Sequence, residues 1–542
     1  MTTVLKRLAM WLLLLGLLMP AFARVEFKAS SFNSADFRRA ERLDEICNAP
    51  ASASFWCSNR DAELHFITTK GKDIFFNEFG EVVALFAKQQ RGQDLRGNYS
   101  LDNNYNLIPQ EAQIPGGALL VNGEYQRPSN PSPSSWQYED KDTLLGEFDF
   151  DLANMRVFKQ IRVKSTDNTF QVDMRFEPLA AISDANTEAD AEIATTTETA
   201  TTTATTTATT TATETPPNTS ISVFYAFPGI ARNQNPIIKI GQGNTATENP
   251  LQNQAVPSVN YASFQSAPVR GVALVMTPNE ADISKISGLS LGNNRIAFQK
   301  ELNLVSGANS LSVRTYGGPN ELVRFYQEDY YELPKLFKAN IFGTLSLAII
   351  NILESIHRVI PVWGVAIILL TLFFRLLIWP LIATQTKSMV AMQKLQPKIQ
   401  ALQKKYKDDR QKLTEETMKL YQQEKVNPAG GCLPIFLQMP LFFILWRVFM
   451  NFEFNEGFLW VPDLGLADPT YILPILYVGI MVAQAFLSAK GNKQMLQQQL
   501  MMNVIFAVIL FSFPAGVLLY WIVSMSVQVG QYYLIQRQMQ VA

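Results

Sequence analysis

Histidine and cysteine are scarce, with two of the first and three of the second in 542 residues. His65 and His357 fall in no metal-ligand spacing, no glycine-rich phosphate loop is present, and no hydrolytic or redox constellation can be assembled. These gaps argue against metal, nucleotide-driven and acid–base chemistry. Charged residues make up 17%, against about a quarter in a typical soluble domain, and a net charge of −1 implies no global attraction to nucleic acid. No internal repeat is evident, which weighs against transporters built from repeats. Long apolar runs are nearly absent between residues 24 and 335 and crowd together beyond 340. The apolar fraction of 47% therefore divides between a soluble part and a membrane part.

Residues 1–23 carry Lys6 and Arg7, an apolar run from Leu8 to Phe22 and the small-residue site Ala21-Phe22-Ala23. That order describes a secretory signal peptide, with an uncleaved signal anchor as the alternative; both export the segment after it. In an exported segment Cys47 and Cys57 are expected to form a disulfide, the alternative being two unpaired thiols. Within residues 24–332, the runs TFQVDMRF, SISVFYAF and MRVFKQIRV alternate apolar and polar positions between turn residues. Period-two alternation predicts antiparallel sheets and a large β-sandwich. The threonine-rich segment 185–217 has Ile193 as its one large apolar residue and is expected to be a disordered surface loop.

Residues 333–360 place Phe337, Ile341, Leu345, Ile349, Ile352 and Ile356 at helical spacing, which predicts an interfacial amphipathic helix. Val362 to Leu381, within segment 361–382, is a twenty-residue apolar run broken by one charge, Arg375. At about 1.5 Å per residue it covers the ~30 Å hydrocarbon core, so it reads as a transmembrane helix. An arginine there costs about 2.5–3.5 kcal/mol on insertion scales, offset by a polar surface or by snorkelling. Segment 383–427 then brings ten Lys/Arg against five acids in two amphipathic stretches, a basic cytoplasmic helical hairpin by the positive-inside rule. The alternative is a coiled coil that merely ties two spans together. Four further spans are expected in 428–537: Leu433–Met450, Tyr471–Ser488, about Leu500–Phe513, and Ala515–Tyr533. A short tail, 538–542, ends the chain inside.

Polar residues recur in these apolar helices. Thr371 and Arg375 stand i,i+4, as do Gln484 and Ser488; Gln438 and Asn503 lie in other spans. In the last span Tyr520, Ser524, Gln528 and Gln531 form one stripe. Ordinary interhelical hydrogen bonding would explain any one of them. Together they predict a hydrated cavity in the cytoplasmic half of a five-span bundle. Arg447, with Glu453 and Glu456 close in sequence, is expected to snorkel.

The runs KSMVAMQKLQPKIQALQKKYKDD, KVNPAGGCLPIFLQMPLF, DPTYILPIL and FPAGVLLYW, in that order, resemble the YidC/Oxa/Alb membrane protein insertases over about residues 362 to 537. The exported domain is similar in position and strand character to the β-supersandwich of Gram-negative members, which is related to galactose mutarotase. The resemblance implies a membrane α-helical bundle with a five-span core, an exported all-β supersandwich domain and a cytoplasmic helical hairpin. It implies an inner-membrane, multi-pass insertase and chaperone, not an enzyme, working as a monomer without cofactor or metal. Its large domain would lie in the periplasm and its C-terminus in the cytoplasm. Arg375 would sit in a hydrophilic groove open to the cytoplasm and lipid, with Thr371 and Tyr520 at groove-lining family positions and Trp521 at the neighbouring, usually aromatic one; the polar pattern of the spans adds Gln438, Gln484, Ser488, Asn503, Ser524 and Gln528. Implied partners are nascent membrane proteins, the lipid bilayer, the Sec translocon, and the ribosome with its targeting factors, these last contacted through Lys404, Lys405 and Lys407. The sequence leaves two rivals, a solute channel or transporter and a membrane-anchored carbohydrate-binding receptor. Three departures from the family pattern stand out: the Ala-x-Ala site, Arg447 where an aromatic is common, and the absence of a long basic tail.

Overall fold

The computed structural model describes residues 65–541 apart from 88–106, 180–219, 425–432 and several shorter gaps. Cys47, Cys57 and the threonine-rich segment lie outside the described residues, as do the first 64 positions.

Three antiparallel sheets occupy the first part of the chain. The largest has nine strands, in spatial order β12 (Thr245–Glu248), β11 (Ile237–Gln242), β14 (Val259–Gln265), β15 (Val272–Pro278), β18 (Asn309–Pro319), β9 (Thr169–Pro178), β8 (Met155–Lys164), β7 (Thr143–Leu152) and β6 (Ser135–Tyr138). A six-stranded sheet runs β13 (Val256–Pro257), β16 (Ile286–Leu291), β17 (Arg295–Asn303), β10 (Ser220–Pro228), β4 (Ala118–Val121) and β5 (Glu124–Tyr125). The third holds β1 (His65–Thr68), β2 (Lys72–Phe76) and β3 (Val82–Ala87). The alternation expected from the sequence is present: β8 buries Met155, Val157, Lys159, Ile161 and Val163 on one side. β7 and β8 pair from Thr143↔Lys164 to Leu152↔Met155, so Ala153 (φ 51°) and Asn154 make a two-residue turn.

One core joins the sheets. Phe148, Phe150, Phe170 and Phe176 from the large sheet meet Val223, Tyr225, Phe227 and Phe298 from the smaller one, with Ile74, Phe76 and Leu85 of the third. Each such side chain stabilises the sandwich by about 1.5–3 kcal/mol relative to exposure. The outer face of the large sheet is covered in turn, because Tyr261, Ala273, Val275 and Tyr316 pack against Phe325, Tyr330 and Leu336. Phe325 belongs to α1 (Leu322–Gln327).

Among the described residues, eight further α-helices come after it. α2 (Ile341–Val359) starts where the Asn340 side chain accepts a 2.8 Å hydrogen bond from the Gly343 amide. It buries Gly343, Ser346, Ile349, Ile350 and Leu353, whereas Ile341 is 78% exposed and Leu345 45%. The apolar stripe read from the sequence therefore shares Ile349, Ile352 and Ile356 with the packed face but not Ile341 or Leu345. Gly343 and Ser346 lie buried on that packed face.

The twenty-residue run is not one helix. α3 (Trp363–Leu377) ends at Ile378 (φ −90°, ψ 2°), and α4 (Trp379–Lys405) begins with Pro380 in its first turn. Proline has no amide to donate and clashes with the carbonyl four residues back, so it opens a new helix rather than continuing the old one. α5 (Arg410–Gln423) completes the hairpin, capped by Asp409, whose carboxylate accepts the Lys412 amide at 2.9 Å. α6 (Leu433–Asn451) and α7 (Ile472–Ala489) match the sequence expectation to within a residue or two. α8 (Lys493–Leu510) starts seven residues earlier than expected, and α9 (Ala515–Val541) continues eight residues past Tyr533. Among the described residues no helix is both long and apolar enough to cross a membrane. The break at Ile378 shortens α3, and α8 opens with the polar run Lys493–Gln499.

Candidate functional site: an arginine held by a serine across the bundle

Arg375 lies in the last turn of α3 and is 7% exposed. Its Nε donates to Ser524 Oγ at 2.8 Å, and Nη2 donates to the same oxygen. Ser524 is buried on α9, whose polar stripe brings it opposite α3. Tyr520, one turn earlier on α9, and Tyr477 on α7 are also buried and share the electrostatic surroundings of the guanidinium. Among the described residues no carboxylate pairs with Arg375. A guanidinium has five N–H donors, and a single hydroxyl oxygen cannot satisfy them.

The other predicted groove residues divide. Thr371 is fully buried, but its hydroxyl donates back to the Ile367 carbonyl at 2.7 Å. Trp521 stacks between Phe442 of α6 (centroids 5.3 Å apart) and Tyr477 of α7 (5.4 Å), tying three helices together. Gln484 and Gln528 are half-buried, on α7 and α9. Asn503 donates to the Met481 carbonyl at 3.3 Å and so links α8 to α7, not to Arg375. The side chains of Gln438 and Ser488 lie outside the described residues. Lys404, Lys405 and Lys407 are exposed on the hairpin, remote in sequence from the arginine, with Lys405 Nζ 5.2 Å from the Tyr406 ring centroid.

Two features escape a reading of the sequence. Tyr477 stands seven residues before Gln484, on the same helical face, and that spacing is the available signal. Arg447 does not snorkel beside its sequence neighbours. It donates to Glu321 Oε2 from Nη2 at 2.8 Å and from Nε at 3.2 Å, a partner 126 residues away. No local pattern names that partner.

The structure thus joins a helical bundle, holding a buried cation with no acidic partner among the described residues, to a large antiparallel β-sandwich. A family model described as "60Kd inner membrane protein" matches residues 355–542. The membrane protein insertase YidC of Deinococcus radiodurans is 34% identical over 332 residues, which is 60% of this chain and 76% of the relative. The insertase YidC of Magnetococcus marinus is 39% identical over 255 residues, 46% of each chain. That of Methylobacillus flagellatus is 43% identical over 191 residues, 34% of each, so these two are matched over less than half their length. A solved structure of an active YidC insertase with its first transmembrane domain resolved aligns with 97% of this chain and 98% of its own, at 18% identity and a TM-score of 0.49. The chain belongs to the YidC membrane protein insertase family.

Proposed function

We propose that this chain inserts membrane proteins by drawing short hydrophilic segments of a client into a polar groove around Arg375, then releasing apolar helices to lipid. The observation that carries the reading is a buried guanidinium whose described partner is one neutral hydroxyl. Arginine stays charged at any physiological pH, so the site attracts anions and carbonyl oxygens continuously and needs no proton switch. A low-dielectric surround strengthens that attraction, and water with the hydroxyls of Ser524 and Tyr520 offsets the burial of the charge.

On this reading α3 with the start of α4, and α6 to α9, form five spans in an inner membrane, the sandwich lies outside, and the groove opens to the cytoplasm. The charge pattern supports this: loop 451–470 has four acids and no Lys or Arg, whereas 383–427 carries a net +5. The exposed lysines of the hairpin would receive the ribosome and targeting factors through a salt-sensitive contact, and the Sec translocon would share some clients.

The test is insertion of matched clients with neutral or acidic exported tails, scored by protease protection in vesicles. Arg375→Ala should lose most with the acidic clients, and Arg375→Lys should retain much of the activity if charge is the requirement. A stably integrated Arg375→Ala protein that inserts every client at the normal rate would sink the groove mechanism.

A further inference from the structure

Between the sandwich and the bundle lies α1, only six residues long, and its successive side chains address four different parts of the protein. Glu321 stands at its N-cap position yet makes no capping hydrogen bond; its carboxylate accepts both bonds from Arg447 of α6. Arg324 pairs with Glu453, just beyond α6, and the two side chains are 5% and 7% exposed. The Tyr326 hydroxyl lies 2.7 Å from Asn351 Oδ1 and 2.8 Å from Glu354 Oε2, both on α2, and shares its one proton with them. Gln327 exchanges two bonds with the backbone of Glu453, giving Nε2 to its carbonyl at 3.2 Å and accepting its amide at 2.6 Å. Glu328 accepts the Asn168 amide at 2.7 Å, which fixes the same segment to the turn between β8 and β9. Phe325 meanwhile is buried against Tyr316 of β18.

The C-terminal part of α6 reaches the arginine site through packed rings. Trp446, beside Arg447, meets Phe513 at 4.5 Å, and Phe442, one turn earlier, stacks on Trp521 at 5.3 Å. Trp521 is three residues before Ser524, the hydrogen-bond partner of Arg375. A helix whose C-terminal half packs on the groove rings, and is held by one ion pair within it and a second just beyond it, has few ways to move by itself.

We propose that α1 is an ionic strut between the sandwich and the bundle, and that Arg324 and Glu453 are positioning residues for insertion, acting through α6 and Trp521 on the Arg375–Ser524 contact. A buried pair of this kind adds little net stability, but one partner left alone is a buried, uncompensated charge, so the pair specifies a position. Reversing both charges keeps the pair. The proposal rests on the insertion reading for its activity arm alone.

The experiment uses the full chain in vesicles: insertion is read on the otherwise unaltered chain, and groove exposure on a separate chain with Cys47, Cys57 and Cys432 replaced by serine and Gln528→Cys as a reporter. Glu453→Gln should lower client insertion by about threefold to thirtyfold, as expected for a mutation that modulates coupling between sites. It should also change the reporter's reaction rate with a small water-soluble thiol reagent by several fold. The reversed pair, Arg324→Glu with Glu453→Arg, should restore both readings most of the way. Should Glu453→Gln fail to integrate, Arg447→Gln at the half-exposed second pair replaces it, with Glu321→Arg plus Arg447→Glu as the rescue. Unchanged insertion and unchanged thiol reactivity in the single variants would overturn the proposal, and so would a reversed pair as defective as the singles. If the unmodified chain inserts no client, the insertion reading fails, and the thiol arm still decides whether the strut reaches the groove.

Discussion

The sandwich and the bundle each bury a cation, and they treat it in opposite ways. Lys159 sits in the inward-facing row of β8, among Val157 and Ile161, and is 1% exposed. Its Nζ donates to the Gly117 carbonyl at 3.3 Å, and Glu81, 2% exposed, supplies the opposing charge. Glu81 is satisfied in its turn by Asn77 at 2.8 Å and Tyr125 at 3.2 Å. Arg375 has a neutral hydroxyl and, among the described residues, no carboxylate; Lys159 has a carbonyl and the charge of a buried carboxylate nearby. A charge with a buried counter-charge is a finished structural element. A charge without an acid keeps its remaining donors for something that arrives later, and this difference separates a scaffold from a site.

The sharpest way to break the contrast is to unpair the lysine. Glu81→Leu should destabilise the sandwich by about 3–5 kcal/mol, because Lys159 is left in the core without a counter-charge, whether it stays charged or is forced to give up its proton. Denaturant unfolding of the full chain in detergent reads this directly, and an unchanged midpoint would mean that Lys159 has another counter-charge. The corresponding change at the site should act on function instead. Arg375→Ala should lower insertion of acidic-tailed clients about tenfold or more while leaving the unfolding midpoint within about 1 kcal/mol, since it removes a charge whose burial is costly.

A third test uses pH. Burial pushes the Lys159 ammonium down from its ordinary 10.5 to about 8, against the raising effect of Glu81. Between those two values the unfolded chain binds more protons than the folded one, so stability should rise with pH across that window, by up to about 1.4 kcal/mol per unit. Burial raises the Glu81 carboxyl from 4.5, which contributes stability at low pH that is lost as pH climbs through the raised value. Melting curves of Lys159→Met should lack the alkaline rise; a rise of equal size in that variant would assign it elsewhere. The smallest effect is expected at Ser524. Replacing it with alanine removes a hydrogen bond to a charged group, worth about 1.5–3 kcal/mol of stability, but leaves the charge in place, so insertion should slow by severalfold at most. An effect as large as that of Arg375→Ala would make the serine, not the charge, the essential group.

The same contrast explains which features are legible in the chain. The alternation in β8 and β9 places their faces correctly because period two is a local property of the backbone. Lys159 falls in the inward row and breaks its apolar character, and reads as an exception until the buried Glu81 is known to act on it. The run containing Arg375 reads as one helix because hydropathy averages over Pro380, while backbone geometry does not. In α2 the apolar residues at helical spacing are easy to see, but close packing chose the face with Gly343 and Ser346.

Local order therefore determined the strands of the sandwich, the basic hairpin, the sign of charge in each loop, and the ordered runs shared with the insertase family. Tertiary structure alone decided who partners whom. Arg375 met Ser524 from 149 residues away, Arg447 met Glu321 from 126, and Lys159 met the Gly117 carbonyl from 42. The reason is physical: periodicity sets which way a side chain points, and only packing brings two distant faces within the roughly 3 Å at which a hydrogen bond forms.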